Sequence, residues 1–102
     1  MGKAHIDIPR DKIAGVCRRY HVRRMSLFGS VLRDDFGPES DVDVLVEFES
    51  GGEPSFSGLL KLQSELSVLF GQRPVDIATS SILRNPYRRK PILKDLQSIY
   101  DA

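Results

Sequence analysis

One eight-residue segment, Asp41 to Phe48 with the sequence DVDVLVEF, constrains the fold more than any other part of this chain. Its apolar and polar residues alternate, which predicts a β-strand that buries one face and exposes the other. The apolar face consists of Val42, Val44, Val46 and Phe48, and the other face of Asp41, Asp43, Leu45 and Glu47. Aspartate is a poor strand former, so two aspartates on one face of a valine-rich strand indicate a function.

Two helices with apolar stripes are predicted, one before and one after this strand in the chain. The first begins near Pro9, which suits the first turn of a helix, and its stripe is Ile13, Val16, Cys17 and Tyr20. The second carries Leu59, Leu62, Leu66, Leu69 and Phe70 and ends at Gly71 as a C-cap. Because Cys17 lies on an apolar stripe, we expect it to pack in the core rather than act as a nucleophile.

Shorter elements lie between the first helix and the aspartate strand. Met25 to Phe28 predicts a strand that enters a turn at Gly29-Ser30. Val31 to Asp35 predicts a brief helix that is broken by Gly37-Pro38.

The last third of the chain adds a strand and a helix. Arg73 to Thr79 predicts a strand in which Val75 and Ile77 face one side and Asp76 the other. A last helix is predicted to begin at Pro91, and its apolar face consists of Ile92, Leu96, Ile99 and Tyr100. The expected fold is therefore of the α/β (α+β) class, a small mixed β-sheet flanked by helices.

Composition limits the class of protein. The chain has 102 residues, with 15 Lys and Arg against 14 Asp and Glu and a formal net charge of +1, so we expect one domain spanning residues 1–102. No apolar run is long enough to span a membrane, and the N-terminus has no signal-peptide pattern. One cysteine fits a reducing compartment, so the expected location is the cytoplasm. Near-zero net charge argues against a general nucleic-acid coat protein, and no direct DNA binding is expected.

The charges are distributed in three blocks, basic, acidic and basic. From Asp34 to Leu60 the chain has acidic residues but no Lys or Arg, and a basic cluster follows later. The basic cluster consists of Arg84, Arg88, Arg89, Lys90 and Lys94. An acidic segment attracts cations, so it is either a divalent-metal site or a solubilising loop.

Three aspartates favour the metal site. The Cα atoms of Asp41 and Asp43 are expected about 6.6 Å apart on one face of their strand. Asp76 completes a cluster if the two aspartate strands pair. Three carboxylates repel one another unless a cation is bound, and their hard oxygen ligands select Mg²⁺ or Mn²⁺ rather than zinc.

The Gly29-Ser30 turn allows two interpretations. A glycine lets the backbone approach a phosphate closely, and the serine hydroxyl can donate to its oxygens. Alternatively, Ser30 is the N-cap of an ordinary strand-to-helix turn.

These motifs together resemble a known signature. The segment GSVLRDDFGPESDVDVLV, followed by Asp76 in RPVDIAT, is similar to the signature of the DNA polymerase beta-like nucleotidyltransferase superfamily. Within it, the chain most resembles the minimal nucleotidyltransferases, the antitoxin partners of HEPN-domain ribonuclease toxins. The resemblance covers Pro9 to Tyr100.

The resemblance implies a site and a reaction. Gly29 and Ser30 would hold the triphosphate of ATP, and Arg33 either neutralises phosphate charge or is an ordinary surface arginine. Asp41, Asp43 and Asp76 would be the catalytic residues and would ligate two Mg²⁺ ions. Asp76 would also help to activate an incoming hydroxyl for displacement at the α-phosphate with release of pyrophosphate.

The resemblance also implies a partner. The expected acceptor is a tyrosine of a HEPN toxin, which adenylylation would neutralise, and we expect a hetero-oligomer with that toxin. One alternative is a nucleotidyltransferase fold that neutralises the toxin by binding alone. Another is transfer to a small molecule or RNA held by a separate domain. The segment from Ile82 to Lys90, with Tyr87 among its cations, is either the face for this partner or a segment that packs against the sheet.

Overall fold

The computed structural model describes residues 8–32, 37, 40–94 and 96–102, and of these it leaves out the side chains of residues 30, 80, 82, 88 and 91. Three α-helices and four β-strands are formed in this part of the chain. The helices are α1 (Arg10–Arg19), α2 (Phe56–Leu69) and α3 (Pro86–Lys94). The strands are β1 (Val22–Phe28), β2 (Val42–Phe48), β3 (Val75–Thr79) and β4 (Gln97–Asp101). Short 3-10 helices follow β1 and β3, at Gly29–Leu32 and Ser80–Arg84.

The strands form one mixed sheet in the order β3-β2-β1-β4. Strand β2 pairs in parallel with β3 and antiparallel with β1, and β4 pairs antiparallel with the other edge of β1. A parallel pair needs a crossover connection, which α2 provides between β2 and β3. The sheet therefore places the aspartate strand β2 at its centre, with β3 beside it.

The core lies on one face of this sheet, here named the core face and marked by Met25, Leu27, Val42, Val44 and Val46. All five of these side chains are 0% exposed. Helices α1 and α2 cover the core face and contribute the buried side chains of Ile13, Val16, Cys17, Leu62 and Leu66. The predicted alternation in β2 and the predicted stripes of both helices are confirmed.

The opposite face, here named the carboxylate face, presents Asp43, Leu45 and Glu47 from β2 and Asp76 from β3. Alternation alone predicts an exposed Leu45, yet its side chain is only 1% exposed. The reason is that the chain after β3 crosses back over this face, so that Leu83 and Leu93 line a cavity together with Leu45. Both faces of the sheet are therefore partly covered.

The C-terminal segment differs from the sequence prediction. Helix α3 begins at Pro86 rather than Pro91, and residues Gln97–Asp101 form a strand instead of the last turns of a helix. The predicted apolar face of Ile92, Leu96, Ile99 and Tyr100 therefore does not exist as one helical stripe. The physical reason is the free edge of β1, whose backbone groups β4 satisfies in an antiparallel ladder. No helix in the described part of the chain is long and apolar enough to cross a bilayer.

Substitution of Ile99 by alanine tests the strand assignment. Ile99 is 4% exposed in the core, whereas Leu96, which precedes β4, is 37% exposed. We expect Ile99→Ala to lower the free energy of unfolding by about 2–4 kcal/mol, because it leaves a core cavity. Leu96→Ala is the control, with an expected loss below about 0.5 kcal/mol. Chemical denaturation measures both, and equal losses would contradict the strand, because only a helix places both side chains on one buried stripe.

Candidate active site

Two of the three predicted aspartates are neighbours across the parallel strands. Asp43 of β2 is in register with Asp76 of β3, directly after the pair formed by Val42 and Val75. Paired residues of adjacent strands share a face and lie about 4.8 Å apart at the backbone. Asp76 is exposed and Asp43 is half-buried, so both carboxylates border solvent. The two aspartate strands therefore do pair, which is the condition for a cluster that includes Asp76.

Asp41 lies one residue before β2 and is exposed. The amide of the next residue, Val42, donates to the carbonyl oxygen of Pro74 at 2.9 Å, which fixes the start of β2 to the start of β3. Among the described residues, no group of three or more carboxylate, imidazole or thiol side chains is arranged to hold a metal ion. The structure thus brings Asp43 and Asp76 together and leaves Asp41 beside them without a formed three-ligand group.

Gly29 contacts the carboxylate of Asp43. Its φ is +76°, a conformation that L-residues with a side chain rarely adopt. A Cβ atom at Gly29 would overlap Oδ2 of Asp43 and would lie 3.3 Å from its Cγ. The backbone at the end of β1 therefore approaches Asp43 as closely as only glycine permits.

Gly29 also begins the 3-10 helix that contains Ser30. Val31 and Leu32 of this helix are buried, at 0% and 8% exposure, and they anchor the turn to the core. Ser30 lies in this anchored turn, and its side chain is outside the described part of the structure, as is all of Arg33. The predicted brief helix is a 3-10 helix over Gly29–Leu32, and its predicted remainder to Asp35 also lies outside the described residues.

Arg73 was not among the predicted site residues, yet it connects the two loops that lead into the aspartate strands. Its Nη1 atom donates to the carbonyl oxygen of Gly37 at 2.9 Å. The Ser67 hydroxyl of α2 donates to the Arg73 carbonyl at 2.6 Å, and the Gln63 amide donates to the carbonyl of Val75. Helix α2 thereby holds the entrance of β3, and Arg73 holds the loop before β2. No sequence signal distinguishes Arg73 from the other cations, because its partner is 36 residues away.

Replacement of Arg73 by methionine removes the Gly37 hydrogen bond but keeps most of the aliphatic side chain. We expect a loss of roughly 1.5 kcal/mol in the free energy of unfolding, typical of a hydrogen bond from a charged donor. We also expect a lower rate of the nucleotidyl transfer that the sequence resemblance implies, at temperatures where the variant is fully folded, because the loop before Asp41 loses its anchor. Arg23→Met, on an exposed residue of β1, is the matched control in denaturation and rate measurements. Equal transfer rates in the two variants would show that Arg73 does not position the loop before Asp41.

The donor chemistry fits a hard divalent cation. Asp43 and Asp76 supply carboxylate oxygens, which Mg²⁺ prefers. Adjacent like charges in register on paired strands repel each other, and a bound cation removes this repulsion. The Asp43 carboxylate occupies the space that a side chain at residue 29 would need. Asp43 and Asp76 are therefore placed to supply two of the ligands that would hold a metal at this site.

Three groups with shifted pKa values lie at α1 and α2, on the core-face side of the sheet. Burial raises the pKa of the Cys17 thiol to about 12, so Cys17 stays protonated and packs in the core as predicted. Hydrogen bonds from Tyr20 and Arg19 lower the pKa of Glu65, and the same bond raises the pKa of Tyr20. The hydrogen bonds from Arg19 and Tyr20 to Glu65 join α1 to α2 on the core-face side of the sheet.

Comparison with known proteins agrees with this geometry. Residues 10–99 match the family model of the nucleotidyltransferase domain. A protein of Methanocaldococcus jannaschii described as a candidate protein adenylyltransferase is 41% identical over 78 residues, which is 76% of this chain and 77% of that protein. The protein adenylyltransferase MntA of Thermococcus cleftensis is 39% identical over 67 residues, 66% of this chain and 65% of that protein.

Solved structures have the same fold. A structure described as a candidate minimal nucleotidyltransferase has a TM-score of 0.67 and 31% identity, with 86% of each chain covered. A toxin-antitoxin complex with AMP-PNP contains a chain with a TM-score of 0.69 and 17% identity, which covers 93% of this chain and 75% of that one and shows similarity of fold alone. The in-register aspartates, the glycine against them and these matches show that the chain belongs to the nucleotidyltransferase domain family, as one of its minimal members.

Proposed function

We propose that this nucleotidyltransferase is an antitoxin that moves AMP from ATP to a tyrosine of a HEPN ribonuclease toxin and so neutralises it. The observation that carries the proposal is the in-register pair Asp43 and Asp76 beside Gly29, in a chain whose relatives bear the name protein adenylyltransferase. The fold similarity to a chain in a toxin-antitoxin complex with AMP-PNP supports a toxin partner and ATP as substrate.

The reaction joins the phenolic oxygen of the acceptor to the α-phosphorus of ATP. The bond between the α-phosphorus and the oxygen bridging to the β-phosphorus breaks, and pyrophosphate leaves with that electron pair. The phenolic proton passes to a base. Asp76 is exposed at the carboxylate face, so an acceptor hydroxyl from a second protein can reach it, and we assign it the role of activating that hydroxyl.

The chain's own groups provide the positioning. Gly29 begins the 3-10 helix whose backbone amides would bind phosphate oxygens, and Ser30 would donate to them. Asp41, Asp43 and Asp76 would hold two Mg²⁺ ions, and Arg33 would neutralise phosphate charge. When bound, the magnesium ions supply positive charge that stabilises the attacking and leaving oxygens.

Labelled ATP tests the reaction directly. The protein is incubated with magnesium, a HEPN-domain protein encoded beside it, and ATP labelled at either the α- or the γ-phosphate. Transfer of the α-label alone to the HEPN protein is the expected result, because adenylylation retains only the α-phosphate. Replacement of the acceptor tyrosine by phenylalanine should abolish labelling. If toxin activity is neutralised without any label transfer, the binding-only module is the correct function instead.

A further inference from the structure

The carboxylate face continues past the aspartates into a cavity of about 530 Å³. Leu45 forms part of its floor, two residues after Asp43 on the same face of β2 and therefore about 6.6 Å further along the strand. The other apolar lining residues are Leu83, Leu93 and Leu96, of which Leu93 and Leu96 are 43% and 37% exposed. We name this cavity the acceptor groove. It begins at Leu45, the next residue after Asp43 on the same face of β2, and its apolar lining is Leu45, Leu83, Leu93 and Leu96.

Of the three arginines that line the acceptor groove, one forms ion pairs with described residues and two do not. Arg24 lies between two acids, 3.8 Å from Oε2 of Glu47 and 3.4 Å from Oδ2 of Asp101. Arg84 and Arg89 also line the groove and form no ion pair with any residue that the structure describes. Helix α3, which carries Arg89, contains four cations and no acid. The groove therefore has an apolar floor and two arginines available to bind carboxylates.

We propose that the acceptor groove binds an acidic segment of the acceptor protein next to the tyrosine that is modified. Arg84 and Arg89 pair with carboxylates of this segment, and its apolar side chains contact the leucines. An extended peptide advances about 3.3 Å per residue, so the residue two positions from the tyrosine reaches Leu45. The inference rests on the proposed function, since it assumes a protein acceptor.

The groove fits a peptide better than a nucleic acid. A nucleic acid strand carries a phosphate at every nucleotide, and Glu47 and Asp101 at the groove would repel that continuous negative charge. Proteins that bind single-stranded nucleic acids also provide aromatic side chains on which the bases stack. The apolar side chains that line this groove are all leucine. A peptide can place carboxylates opposite Arg84 and Arg89 and apolar residues elsewhere.

The test measures binding separately from transfer. Fluorescently labelled random copolymers of glutamate with tyrosine and of lysine with tyrosine serve as probes, and anisotropy reports their affinity. We expect the unaltered protein to bind the glutamate copolymer about tenfold or more tightly than the lysine copolymer. A glutamate homopolymer should bind more weakly than the glutamate-tyrosine copolymer, because it offers nothing to the leucines.

Two charge reversals of equal size isolate the groove. Arg84→Glu with Arg89→Glu should lose the preference for the glutamate copolymer. The matched control is Arg10→Glu with Lys12→Glu on exposed positions of α1, which changes the net charge equally and should keep the preference. Melting curves confirm folding, and Arg84→Gln with Arg89→Gln replaces the first pair if the reversal prevents folding.

Three results of the binding experiment would overturn the groove assignment. These are an unchanged preference in the groove variant, an equal loss in the α1 control, and tighter binding of a single-stranded oligouridylate than of the glutamate copolymer. Label transfer to the HEPN protein is measured with the same variants. Undiminished transfer in the groove variant refutes the groove and leaves the proposed function intact. A different result would refute the proposed function: the unaltered protein binds the copolymers as expected but transfers no label to the HEPN protein. The groove would then still be a binding site for acidic peptides.

Discussion

Replacing either Asp43 or Asp76 by asparagine should lower the rate of nucleotidyl transfer at least ~100-fold, a loss of the size seen when one electrostatic contact to a transition state is removed. The two carboxylates are in register on the carboxylate face, and an amide of the same shape has neither their charge nor their basicity. Initial rates with α-labelled ATP measure the effect. Glu49→Gln makes the same chemical change at an exposed position after β2 and should keep the unaltered rate.

The stability of Asp76→Asn separates a functional from a structural role. Asp76 is exposed and faces the like charge of Asp43, so loss of its charge should leave the melting temperature unchanged or raise it. A magnesium-ATP complex should raise the melting temperature of the unaltered protein, since it binds the native state, and should raise that of the variant less. Wild-type transfer by the asparagine variants would show that the aspartate pair is not the catalytic centre.

Gly29→Ala should impair both stability and transfer, for two reasons that a matched control separates. Gly29 and Gly51 both have a φ of +76°, but a Cβ at Gly51 would meet nothing within 4 Å. Gly51→Ala therefore reports the backbone strain alone, expected at ~1–2 kcal/mol. Gly29→Ala adds the overlap with Asp43, which should cost a further ~1–3 kcal/mol as overpacking does elsewhere. Denaturant unfolding measures both variants.

A double-mutant cycle assigns the extra loss to Asp43. With Asp43→Ala in place, the nearest remaining atom of residue 43 is its Cβ, at 3.5 Å, which is an ordinary contact. Gly29→Ala should then cost no more than Gly51→Ala does. A loss that persists in the Asp43→Ala background would place the obstruction elsewhere in the turn. Transfer by Gly29→Ala should be lost even where the protein remains folded, because the added methyl displaces the Asp43 carboxylate.

The periodic elements of this protein are determined locally by its sequence. The alternation in β2 fixed which face carries Asp43, and the 3.6-residue stripes of α1 and α2 fixed the side chains they bury. Ser55, whose hydroxyl accepts from the Gly58 amide, and Gly71, with a φ of +80°, mark the ends of α2. These signals are sufficient because each depends on residues within a few positions of one another.

The C-terminal segment shows what a local pattern leaves open. One sequence signal for the start of α3 was present, because Asn85 directly precedes Pro86. The Asn85 side chain accepts a hydrogen bond from the backbone amide of Tyr87, an arrangement typical of a helix start. The segment after α3 carries no such signal. Residues Gln97–Asp101 are a strand because β1 has an unpaired edge, and that edge exists only once β1 and β2 have paired.

The residue types of the site can be read from the sequence, but its assembly cannot. Asp43 and Asp76 were identifiable as carboxylates on predicted strands, whereas their register follows from the parallel pairing of β2 with β3. The close approach of Gly29 to Asp43, the hydrogen bond from Arg73 to Gly37 and the burial of Leu45 all join residues distant in the chain. Periodicity determines which way a side chain faces, because it is a property of neighbouring residues. What that side chain meets is determined by strand order and by the segments that cover the sheet, and these depend on free energies summed over the whole fold.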